Sequence, residues 1–211
     1  MFSVIQYSGT HCAASIEPVQ IEDPVMRMPP LTAEQMTPPQ RAAADELTAG
    51  PRKGVKGPFI AMLRSPELLA RVQKVGEFLR FQSSLSPRAS EFATLIVARA
   101  WSQQFEWFTH VPLALKAGTA QATIDALREG RRPTTMDDEE TVVHDFASEL
   151  LQQHGTSETT YRRAAERFGE HGVVELTSLI GYFVMVSMVL NVSHTPEEPN
   201  PAVAPLQPFP L

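Results

Sequence analysis

Three polar residues, Gln103, Glu106 and His110, in the segment from Glu91 to Gly118, recur at intervals that could gather them around one reaction site. At about 100° per residue, Gln103, Glu106 and His110 share an arc of roughly 60° on one helical face. Glu106 and His110 are four positions apart, so a carboxylate and an imidazole can touch. A carboxylate beside an imidazole raises the pKa of the ring and orients it, which is what acid–base work near neutral pH requires. Trp101, Phe105, Trp107 and Phe108 flank this face and could keep water out. The same spacing also occurs on solvated helices, where it contributes only about 0.2–0.5 kcal/mol. The aromatics equally fit an ordinary apolar core, so spacing alone leaves both readings open.

Proline placement indicates which elements must hold these groups. Of 18 prolines, eight precede Ala61 and six follow His194, leaving only Pro66, Pro87, Pro112 and Pro133 between. A proline-poor stretch between proline-rich ends reads as a helical body with extended arms. The chain therefore divides into an N-terminal arm (1–37), a helical domain (38–194) and a C-terminal tail (195–211), the last expected to be extended or disordered. Ser65-Pro66 and Ser86-Pro87 each set a capping hydroxyl before a proline at a first helical position. Thr135 with Asp138 resembles a capping box, and Thr156 can cap a later segment. Together with apolar periodicity these signals predict helices over 38–49, 66–81, 87–105, 106–117, 120–129, 137–154, 157–168 and 172–193. Pro112 removes the hydrogen bond to the Phe108 carbonyl, so a kink or restart is expected just after His110. No stretch alternates in a way that predicts a strand, and the expected class is all-α in a single domain.

Composition narrows the possible partners. The formal charge of −6, with Arg131-Arg132 and Arg162-Arg163 as the only arginine pairs and no interleaved aromatics, argues against nucleic acid. The single cysteine, Cys12, cannot form an internal disulfide or a cysteine-based zinc site, which suits a cytoplasmic location. The run from Val173 to Val192 has the length of a membrane span. Glu175, Thr177, Ser178, Ser187 and Asn191 interrupt it and no basic cluster flanks it, so a buried helix is expected rather than a membrane segment. His144, His154 and His171 lack a second ligand at metal spacing, and no metal or cofactor is expected. The acidic run Asp137–Glu140 is explained by the dipole of the helix it begins.

Counting back from His110 reaches Glu106, Gln103 and Glu91, and this spacing resembles the thiol-bearing helix of the carboxymuconolactone decarboxylase and alkylhydroperoxidase D-like family. In the thiol-bearing branch of that family the order is Glu, Cys, Cys, His, and here Gln103 and Glu106 stand where the cysteines would be. The segment LKAGTAQATIDALREG and the apolar helix after Gly172 also resemble later family elements, so the likeness spans roughly residues 59–192. The resemblance implies an alkylhydroperoxidase D-like helical fold and a homo-oligomer built as a trimer or hexamer. Glutamine and glutamate cannot form a sulfenate or a disulfide, so it implies the thiol-independent, decarboxylase-like branch. The expected activity is acid–base chemistry on a small organic acid or lactone, with His110 as proton donor, Glu106 raising its basicity and Glu91 as a second relay. Gln103 is expected to stabilise an oxyanion, and Arg99 and Trp107 to bind substrate, with Arg80 or Arg88 as other carboxylate partners. A peroxidase working without the usual thiols and a non-catalytic helical assembly protein are the alternatives.

Overall fold

A computed structural model describes residues 25–197 and 199–207. His11, Cys12 and most of the N-terminal arm lie outside the described residues. Among the described residues there are eight helices and no strand: α1 (Pro38–Ala49), α2 (Pro58–Met62), α3 (Pro66–Phe81), α4 (Pro87–Ala100), α5 (Gln104–Ala117), α6 (Gln121–Arg128), α7 (Asp138–Gln153) and α8 (Glu158–Ser193). The all-α expectation holds, and the single turn of α2 is an addition to it.

Local chemistry accounts for most of the helix starts. The Ser86 hydroxyl accepts from the Ala89 amide at 3.0 Å, ahead of Pro87 at the first helical position. Thr37 forms a capping box with Gln40 at the head of α1. Two caps differ from expectation by one or two residues. The α7 capping box is Asp137 with Glu140, because Asp137 immediately precedes the first helical turn, and α8 is capped by Ser157 rather than Thr156. The expected helix over 87–105 stops at Ala100. Ser102 adopts a left-handed conformation (φ 48°), and the Gln103 amide donates back to the Ala98 carbonyl at 2.8 Å, which closes a turn between α4 and α5. Helix α5 then runs without a restart through Pro112, on its exposed side, held by the burial of Trp107, Phe108, Val111 and Ala114.

Helix α4 forms the axis of the body. Phe92, Ala93, Leu95 and Val97 are wholly buried, and α4 packs against α5, α7 and α8. A helix covered on nearly all sides must be apolar nearly all round. Each fully buried Phe, Leu or Val contributes on the order of 1.5–3 kcal/mol of transfer free energy. Leu176, Leu179, Ile180 and Leu190 of α8 join the same core. The helix Glu158–Ser193 is long and apolar enough to cross a membrane, and 56% of its most apolar window is buried in the body. It is interrupted at Gly169 (φ 69°, ψ 170°), consistent with the separate segments 157–168 and 172–193 expected from the sequence.

The described residues of the C-terminal tail form no helix or strand and lie along the body of their own chain. Val203 and Leu206 are buried in the core of their own chain. The Trp107 indole N–H donates to the Ala204 carbonyl at 2.9 Å, and Gln104 exchanges two bonds with the backbone of Leu206 (3.2 and 3.1 Å). The tail therefore straps the turn between α4 and α5, the junction that sets one helix of the candidate site against the other.

Candidate active site

Helices α4 and α5, joined by only three residues, lie side by side and bring Glu91 and His110 together. His110 Nδ1 is 2.5 Å from Glu91 Oε2, and Nε2 is 3.3 Å from Glu106 Oε2. Both ring nitrogens thus face carboxylates, an arrangement that an imidazolium satisfies with two N–H donors. The ring is almost completely buried (2% exposed), and its edge-to-face contact with Phe183 of α8, at 5.1 Å between centroids, fixes its plane.

Burial alone would drive His110 toward the neutral form. Hydrogen bonding to Glu106 and Glu91, reinforced by their charges, outweighs it and raises the histidine above its ordinary value. The two carboxylates address opposite ring nitrogens, so these three side chains do not converge on a point as metal ligands would. Among the described residues no group of three or more His, Cys, Asp or Glu side chains is disposed to hold a metal ion.

Glu106 and His110 form part of the wall of a cavity of about 370 Å³. The wall also includes the loop between α1 and α2 (Arg52, Lys56), α2 (Phe59), the end of α3 (Arg80, Phe81), Phe105 of α5 and α8 (Tyr182, Phe183). Glu91, on the other side of the imidazole, borders a separate surface depression with Arg88, Lys116 and Asp137. A proton taken up or released at Glu106 or His110 can therefore pass through the ring to a carboxylate facing a different surface. The three groups can hold, donate and recover a proton as one unit.

Three of the sequence-derived assignments are corrected here. Gln103 does not share the face of Glu106 and His110: it caps α5, accepting from the Phe105 amide at 2.7 Å and donating to Asn191 at 2.7 Å, and it does not line the cavity. Trp107 is wholly buried and is engaged with the tail through Ala204. Arg99 is also buried, and it donates to the Gln207 carbonyl. Neither residue reaches the cavity, because both point from the α4–α5 junction toward the tail strapped over it. Of the other arginines considered, Arg80 lines the cavity, whereas Arg88 is committed to Asp137 and to the Gly118 carbonyl. Arg52 and Tyr182 were not anticipated. Arg52 lies in an aperiodic loop and Tyr182 within an apolar run, and neither carries a sequence signal. The chain matches no protein-family model and no curated protein sequence.

Proposed function

We propose that this protein is a thiol-independent acid–base enzyme of the carboxymuconolactone decarboxylase-like kind, acting on a small organic acid or lactone. The observation that carries this reading is the buried His110, bracketed by Glu91 and Glu106 at the wall of a cavity of about 370 Å³. Loss of CO₂ from an activated acid leaves an enolate-like anion that must receive a proton at carbon. A histidine held cationic beside the cavity is suited to donate that proton. Glu106 orients the ring, and Glu91 restores its proton from the far side. The order Glu91, Glu106, His110 along α4 and α5 also fits an alkylhydroperoxidase D-like arrangement, which is part of the same proposal.

The test is a screen of unsaturated lactones and small carboxylic acids for CO₂ release by the purified protein, preceded by mass spectrometry of any co-purified acid. His110→Ala should then lose about 10²–10⁴-fold in rate while remaining folded. Glu106→Gln should lose less. Turnover in His110→Ala close to that of the wild type would refute the assignment.

A further inference from the structure

The cavity at His110 is lined by three cationic side chains, Arg52, Lys56 and Arg80, and by a single acidic one, Glu106. Glu106 is already engaged by His110. Among the described residues neither Arg52 nor Arg80 has a carboxylate within 4.0 Å, although both Nε atoms are buried and without a hydrogen-bond partner. Two guanidinium groups sharing a partly desolvated cavity repel one another. Burial first, and then the charge of Arg80, hold Arg52 below its ordinary value, with the Tyr182 hydroxyl among the groups opposing them. The Tyr182 hydroxyl and the charge of Glu106 offset only part of that cost, whereas an anion between the two guanidinium groups would relieve their repulsion directly.

The surroundings also hold the two groups in place. The Arg52 guanidinium lies 4.3 Å from the centre of the Phe59 ring, and that of Arg80 lies 5.1 Å from the Phe81 ring. A guanidinium over an aromatic ring is held there by cation–π attraction, and its N–H donors can still serve a planar, two-oxygen acceptor. Arg52 also donates to the Tyr182 hydroxyl at 3.4 Å. The contact depends on Gly76 of α3, where a Cβ would lie 2.2 Å from that hydroxyl and 2.7 Å from an Arg52 nitrogen.

We infer that Arg52 and Arg80, with the Tyr182 hydroxyl, form a carboxylate-binding subsite that positions a flat organic acid against Glu106 and His110. The inference rests on the reading of this cavity as the active one, and it names the group by which the substrate is held. Arginine is suited to the role because its fork matches both carboxylate oxygens, while Phe59, Phe81, Phe105 and Phe183 offer apolar walls to the remainder of the molecule.

Benzoate, a flat carboxylate that cannot complete the proposed reaction, is a direct probe, with inorganic phosphate as the comparison anion. Binding to the full chain is followed by ligand-observed NMR titration for the wild type, Arg80→Gln and Arg80→Lys. The expected result is benzoate binding that weakens about tenfold or more in Arg80→Gln and is partly restored in Arg80→Lys. Phosphate should bind more weakly than benzoate. Benzoate affinity unchanged in Arg80→Gln, or no binding to the wild type, overturns the subsite, and phosphate binding equal to benzoate overturns its preference for a carboxylate. Arginine-dependent benzoate binding without turnover of any acid would uphold the subsite and refute the reaction. Turnover indifferent to Arg80 would do the reverse.

Discussion

His110 Nδ1 and Glu91 Oε2 lie 2.5 Å apart across the contact between α4 and α5, so the contact that would relay a proton in the proposed reaction is also a tie between two core helices. Folding and the proposed acid–base chemistry would therefore depend on the same proton. The histidine is raised above its ordinary value of 6.5 in the folded protein because hydrogen bonds to Glu106 and Glu91 and their charges overcome the cost of burial.

The sign of the resulting pH dependence follows from linkage. A group whose pKa rises on folding stabilises the native state fully below its unfolded pKa, and that contribution disappears as pH increases through the folded value. Urea midpoints of the wild type and His110→Gln should therefore differ most below pH 6.5 and converge as pH rises above it. A difference that is flat or that widens over this range would show that His110 is not held as the cation.

Gly76→Ala should disturb the cavity from outside it. The new methyl group would lie 2.2 Å from the Tyr182 hydroxyl and must displace that ring, the Arg52 side chain, or both. Overpacking of this kind costs about 1–3 kcal/mol. Denaturant unfolding should record the loss, and the tyrosine absorbance should change as Tyr182 leaves its buried position. A variant as stable as the wild type would mean that the α3–α8 contact is looser than described.

Trp107→Phe keeps the apolar ring but removes the donor to the Ala204 carbonyl. The expected cost is about 0.5–1.5 kcal/mol. Hydrogen exchange should localise the effect to the tail, beginning with the Leu206 amide, which donates to Gln104 at 3.1 Å. Unchanged protection at Leu206 would indicate that burial of Val203 and Leu206 holds the tail without this bond.

Assembly gives a further expectation. Phe81, Val174 and Val192 are each more than half exposed, and an apolar surface left open on one chain is commonly covered by another. Light scattering is expected to report a homo-oligomer, a trimer or hexamer under the proposed family reading. A 23.3 kDa particle at micromolar concentration would contradict it.

How far the sequence could be read depended on whether each signal was local. Ser86-Pro87 announces α4 because a hydroxyl and a pre-set φ act within one turn. The Glu106–His110 contact is likewise a property of one helix. The approach of Glu91 depends on how α4 and α5 pack, and only a family resemblance suggested it. Gln103 was misplaced because the turn at Trp101–Gln103 contains neither glycine nor proline, and Ser102 supplies the left-handed residue instead. Arg52 and Tyr182 come from a loop and from a helix 130 positions further along the chain, and no periodic pattern connects them.

The interruption at Gly169 has a bearing on how this chain can vary. Its φ of 69° with ψ of 170° lies in a region that is essentially glycine-only, and no atom outside its immediate chain surroundings lies within 4 Å of where a Cβ would stand. In an unbroken helix every inserted residue would rotate all that follows by about 100°. Here the joint absorbs that rotation, so the pairing of Arg163 and Arg167 with Asp145 and Glu139 of α7 is separated in helical phase from the turn that brings Tyr182, Phe183 and Val186 to the cavity. Length changes ahead of the joint should therefore leave the orientation of those three side chains intact, whereas a single residue added after it would turn all three away.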